Sequence, residues 1–142
     1  MSSVFYTSVS GWAAVILVGV EIVLPYLLRR SWLSLRLGLR MAQDFVAPYF
    51  KRMWVHCWLG YLVAGLSFLH AWVPMQAGHL RGVSLAGLWL GTAALFLLVL
   101  QVALGLALRE PGLPERRQIR RWHYGLMIGV VVMVAGHVWL NK

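Results

Sequence analysis

The chain has 142 residues and a mass of 16.0 kDa; 61% of it is apolar and only 12% charged, at a mean hydropathy of +0.73. Soluble domains average about 45–50% apolar and about 25% charged residues, so a water-soluble globule or soluble enzyme is excluded. The net charge of +9 sits between long apolar runs and reads as membrane topology rather than nucleic-acid binding, while a lone cysteine, Cys57, excludes an internal disulfide and any Cys-x-x-Cys-His attachment of a covalent haem.

In chain order, the first apolar segment covers residues 4–28 and holds one charge, Glu21, about a turn before Pro25. It is long enough to cross a bilayer, and without a basic n-region or a small-x-small cleavage site it reads as a retained span rather than a signal peptide. Pro25 is expected to kink or end that helix locally. Residues 31–42 mix Trp32, Leu33, Leu37 and Met41 with Arg36 and Arg40, the pattern of a short interfacial helix. The second and third spans, 53–73 and 83–108, contain no Lys, Arg, Asp or Glu, and neither does the fourth, 122–140. The expected architecture is therefore all-α: a single membrane domain over residues 1–142, a four-helix transmembrane bundle with an interfacial helix between its first and second spans. No repeat, low-complexity tract or Gly-rich nucleotide fingerprint interrupts it.

Loop charges set the direction. The first connection carries Arg29, Arg30, Arg36, Arg40, Lys51 and Arg52, and the third carries Arg109, Arg116, Arg117, Arg120 and Arg121. Eleven of the thirteen cations thus fall on one side, which is expected to face the cytoplasm, leaving both termini outside or periplasmic in a multi-pass cell (inner) membrane protein. Trp12, Trp72 and Trp139 near the outer ends, and Trp32, Trp54 and Trp122 near the inner ends, suit interfacial anchors. Trp58 and Trp89 lie deeper, where core packing is favoured over contact with a ligand.

Four of the five histidines fall inside spans, His56 and His70 in the second, His123 and His137 in the fourth, and each pair is fourteen residues apart. Fourteen residues make about 3.9 helical turns and a rise of roughly 21 Å, so each pair shares one face and is split between leaflets. Both spans run the same way through the membrane. His56 and His123 therefore share an inner layer, and His70 and His137 an outer one. Two facing imidazoles between helices of a bundle suit an iron porphyrin with both axial positions filled. Zinc or copper usually wants three or four donors, and neither layer offers a third.

Gly91 and Gly105 of the third span are also fourteen apart, one per layer, where a missing side chain admits a flat macrocycle. Gly60, Gly65, Gly125, Gly129 and Gly136 fit that role or plain small-residue helix packing equally well. Glu21 either relays protons to a quinone near the inner layer or is a packing carboxyl, protonated or paired with Arg; the second is slightly favoured. Gln101 is read as a hydrogen-bond donor to a cofactor or to another helix. His79 and Arg81, in the outer loop, are read as exposed, with contact to an outer cofactor or quinone as the alternative, and Cys57 as packing.

Histidines fourteen apart on the second and fourth helices, with glycines fourteen apart on the third, resemble the four-helix haem-binding half of cytochrome b of quinol:cytochrome c reductases. Small di-haem membrane cytochromes and ferric-reductase-like domains share the ligand logic, and the resemblance covers about residues 4–140. It implies two non-covalent b haems, the inner one on His56 and His123 and the outer one on His70 and His137, these four histidines being the iron ligands. It further implies propionate contacts from arginines placed like Arg52 and Arg120, four and three residues before His56 and His123. The chain departs from the family at Pro25, where a second glycine partner of Gly11 is expected, and it lacks a Pro-Glu-Trp-Tyr quinol-oxidation motif.

The expected function is a di-haem b-type cytochrome subunit that carries electrons across the membrane between quinone or quinol and a partner. That partner is another subunit of a membrane oxidoreductase or an outer-face electron carrier; no catalytic residue is assigned and no nucleic acid is involved. The alternatives are a stand-alone ferric-reductase-like or quinol-oxidising cytochrome, and a transition-metal transporter or binding protein using the same four histidines.

Overall fold

The computed structural model describes residues 3–29, 47–76, 84–110 and 112–141. They form four α-helices: α1 Ser3–Arg29, α2 Ala47–Gln76, α3 Leu85–Ala107 and α4 Arg116–Leu140. Each is long and apolar enough to cross a membrane. A helix that is apolar on nearly every side has no face suited to water, so such helices pack in a large core or in lipid. Here they form an all-α bundle whose exterior is apolar as well, with Trp12, Ile16, Phe68, Phe96, Trp122 and Ile128 turned outward.

The expected helix ends shift at four places. Pro25 does not terminate α1, which continues to Arg29. Helix α2 begins at Ala47, six residues before the expected span, so Arg52 belongs to the helix. Helix α4 begins at Arg116, so Arg116, Arg117, Arg120 and Arg121 lie on its first turns instead of in a connection. Basic side chains at a span's end keep their heads at the membrane boundary, so hydropathy alone places that end too late. Pro74 sits inside α2 without ending it. The interfacial helix expected at residues 31–42, with Trp32, and the loop residues His79 and Arg81 lie outside the described residues.

Local chemistry fixes the turn into α3. Ser84 is extended (φ −65°, ψ 132°) and its Oγ accepts from the Gly87 N–H at 2.9 Å, satisfying one of the free donors of the first turn. Asn141, at the end of α4, accepts from the Ser84 N–H at 3.1 Å and donates to the His137 carbonyl at 2.8 Å, tying the two helix ends together.

Helix α1 packs along α2, α3 along α4, and the two hairpins meet more lightly through α2 and α3. Residue partners give the directions. Gly11 meets His70 while Glu21 meets Gly60, so α1 and α2 are antiparallel; Gly91 meets His137 while Gly105 meets His123, so α3 and α4 are too. Helices α2 and α4 run parallel, as expected, with His56 beside His123 and His70 beside His137. The core between them is small: Val63, fully buried, with Leu98 and Val130, flanked by Leu17, Val18, Ala64, Leu97 and Val134.

That core has a register. Val63 lies seven residues from both His56 and His70, and Val130 seven from both His123 and His137. Leu98 likewise halves the distance between Gly91 and Gly105, and Val18 lies seven after Gly11. Seven residues is about two turns and roughly 10 Å of rise, so an apolar layer contributed by all four helices separates the two histidine layers.

Candidate functional site

The structure brings the four histidines together in the two expected pairs. In the first layer the rings of His56 and His123 have centroids 6.3 Å apart at an interplanar angle of 76°. In the second, His70 and His137 stand 6.0 Å apart at 89°. All four are partly buried.

The second layer is built on glycines. A Cβ at Gly11 would stand 2.8 Å from the His70 ring, and one at Gly91 would stand 2.7 Å from the His137 ring. The absent side chains let each imidazole reach the helix backbone. The His70 Nδ1–H donates to the Thr7 carbonyl at 2.8 Å, and the His137 Nδ1–H to the Gly87 carbonyl at 2.7 Å. Both acceptors lie four residues before the glycine that makes room, one turn back along the same helix face. A carbonyl only accepts, so Nδ1 carries the proton on both rings and Nε2 holds the lone pair. This outer partner is what orients a metal-ligating imidazole. The Asn141 amide also approaches His137 Nδ1, at 3.4 Å, but the shorter carbonyl contact sets the tautomer.

The first layer uses side chains where the second uses backbone. Glu21 sits four residues before Pro25, and Gln101 four before Gly105, the positions that correspond to Thr7 and Gly87 in the other layer. The Glu21 Oε1 lies 3.5 Å from His56 Nδ1, and the Gln101 and His123 Nε2 atoms are 3.3 Å apart. Three buried polar atoms remain without a hydrogen bond: His56 Nδ1, His123 Nδ1 and Gln101 Oε1. Gly60, one turn after His56, leaves the space that the Glu21 carboxyl occupies, 3.0 Å from where a Cβ would stand.

Other expected residues divide. Gly105 faces His123 at 3.4 Å, so both α3 glycines serve the layers assigned to them. Gly129 and Gly136 instead meet Leu97 and Leu90, which is helix packing, and nothing stands within 4 Å of Gly65 or Gly125. Trp58 and Trp89 are 57% and 68% exposed, so neither packs in the core, contrary to expectation. Both project from the bundle's outer surface, where a lipid environment has room for large indoles. Arg120 is exposed on the first turns of α4, and the Arg52 side chain lies outside the described residues. Gly11, Thr7 and Gly87 were not assigned ligand-supporting roles from sequence. The offset of four from a glycine that faces a histidine is the pattern that marks the last two.

Among the described residues no three of His, Cys, Asp or Glu converge on one point. Each layer therefore offers two imidazoles and supporting acceptors, a set suited to axial ligation rather than to a tetrahedral ion. The chain matches no family model, no curated protein and no solved structure.

Proposed function

We propose that the chain is a di-haem b-type cytochrome subunit of a membrane oxidoreductase, carrying electrons across the bilayer between a quinone or quinol and a protein partner. The observation that carries this reading is the stacking of two facing histidine pairs, at 6.3 and 6.0 Å, on parallel helices with fourteen residues between the layers. Two metal–nitrogen bonds of about 2.0 Å, with roughly 1.1 Å from each nitrogen to its ring centre, separate axial imidazole centroids by roughly 6 Å. Both layers meet that spacing. The glycines facing His70, His137 and His123 leave the shallow flanks that a flat macrocycle needs.

Bound haem supplies a one-electron iron couple; the chain supplies ligands, orientation and burial. His56 with His123 and His70 with His137 hold the two irons. In the second layer the Thr7 and Gly87 carbonyls lock each imidazole with Nε2 free to ligate. The Gln101 amide lies 3.3 Å from His123 Nε2, so it would turn away from that nitrogen when Nε2 ligates. The apolar layer of Val63, Leu98 and Val130 keeps water and ions from passing between the two centres. The bias of Arg and Lys toward the His56/His123 end supports a cytoplasmic side for that layer and an outer side for both termini. The transition-metal alternative fits less well, because among the described residues each layer gathers two imidazole donors and no group of three metal-ligating side chains.

The test is haem stoichiometry by pyridine hemochrome, with reduced-minus-oxidised spectra, on detergent-purified protein beside His70→Ala and His123→Ala. Two b haems per chain, with each variant losing one from a different layer, are expected. A folded chain that stays colourless after reconstitution with haem sinks the reading.

A further inference from the structure

The two layers hold their histidines with different chemistry. In the second, both Nδ1–H groups meet neutral backbone carbonyls. In the first, the corresponding positions are a carboxyl, Glu21, which approaches His56 Nδ1, and an amide, Gln101, which lies against His123 Nε2 instead of Nδ1. Glu21 is the acidic residue of the four spans, and its Oε1 approaches His56 Nδ1, a buried atom with no hydrogen bond of its own. Gly60 keeps the space open for that approach.

Resting on the di-haem reading, we propose that Glu21 is a positioning residue for His56: its carboxylate accepts the Nδ1–H and thereby lowers the reduction potential of the His56/His123 haem selectively. A carboxylate is a stronger acceptor than a carbonyl. It pulls the ring proton further from the imidazole, makes Nε2 a better electron donor and stabilises the ferric over the ferrous iron. Glu21→Gln removes the charge and keeps nearly the same shape, so it tests the carboxylate without a steric change. Cations near this layer, among them Arg120 and Arg121, raise its potential, but that background is common to wild type and variant and cancels in their comparison.

The experiment is a spectroelectrochemical titration of the purified, haem-loaded protein as wild type and Glu21→Gln, each repeated with His70→Ala so that the first-layer haem is seen alone. Low-spin ferric electron paramagnetic resonance is recorded beside it. Replacing a charge-assisted hydrogen bond by a neutral one about halves its strength, and a tenfold change in the oxidised-to-reduced ratio is the expected size, about 59 mV for a one-electron couple. Glu21→Gln is expected to keep both haems and raise the first-layer midpoint by that amount. It should also change that haem's ferric g values and leave the His70/His137 haem unmoved. Two haems with an unchanged first-layer midpoint in Glu21→Gln, or an equal shift of both haems, overturns the role of Glu21 and leaves the di-haem reading standing. Loss of the first-layer haem in Glu21→Gln overturns it also. A wild-type protein that binds no haem overturns the di-haem reading itself.

Discussion

On the proposed di-haem reading, Gly11→Ala tests whether the glycines are there to seat the histidines. The new Cβ would stand 2.8 Å from both Nδ1 and Cε1 of His70, closer than real Cβ contacts come. The ring cannot retreat freely, because its Nδ1–H is held by the Thr7 carbonyl at 2.8 Å and its far side faces His137. Overpacking costs about 1–3 kcal/mol, and breaking the hydrogen bond costs about 1 kcal/mol more. Against this, removing a glycine from a helix interior stabilises by roughly 0.5–1 kcal/mol. The net is a loss of roughly 1–3 kcal/mol borne by the second layer, or a fall of roughly one to two powers of ten in its haem affinity. Gly19→Ala on the same helix is the control, since nothing stands within 4 Å of its Cβ and only the helix gain applies. The assay is haem retained per chain after dilution in detergent, with the melting temperature of each variant. Gly11→Ala is expected to lose the His70/His137 haem first, and Gly19→Ala to keep both haems and melt no lower than wild type. If the two variants retain haem equally and melt together, the seating role of Gly11 is wrong.

Val63→Ala removes the one fully buried side chain of the central layer. Lipid is as apolar as the core, so only packing is lost, and the expected cost is about 1 kcal/mol with both haems kept, read from thermal melting and hemochrome together. Asn141→Ala deletes the side chain that joins Ser84 N–H to the His137 carbonyl. It is expected to lower stability by about 1 kcal/mol and to broaden the spectrum of the His70/His137 haem alone, visible in low-temperature difference spectra.

The four spans and the two histidine layers were legible because both rest on one-dimensional quantities. Length and hydropathy define a span, and a fourteen-residue interval on like-directed helices defines a shared face whatever surrounds it. The α3 glycines were legible for the same reason. Of the two expectations for Pro25, an end to the helix fails, because α1 continues across it to Arg29. Trp58 and Trp89 misled because depth along a helix says nothing about azimuth: their helices turn them outward. Glu21 was visible as an intramembrane carboxyl but its partner was not. That contact joins residues thirty-five positions apart across two helices, and only the antiparallel register of α1 and α2 brings Glu21 level with His56.

Register also explains what four long helices gain from so small a core. Positions repeat every seven residues on each helix: glycine, valine, proline on α1; histidine, valine, histidine on α2 and α4; glycine, leucine, glycine on α3. Hairpin α1/α2 and hairpin α3/α4 are thus variations on one plan, with Thr7 matching Gly87, Gly11 matching Gly91 and Glu21 matching Gln101. Such a plan yields equivalent ligand layers by default, since the same backbone places the same imidazoles. It is broken where a glycine gives way to Pro25 and an amide to a carboxyl, both on α1 and both at the first layer. A carrier with two identical centres has no intrinsic direction for an electron. On the proposed di-haem reading, breaking the symmetry at the acceptor of one histidine, while leaving the apolar layer and both histidine pairs intact, makes the two centres unequal.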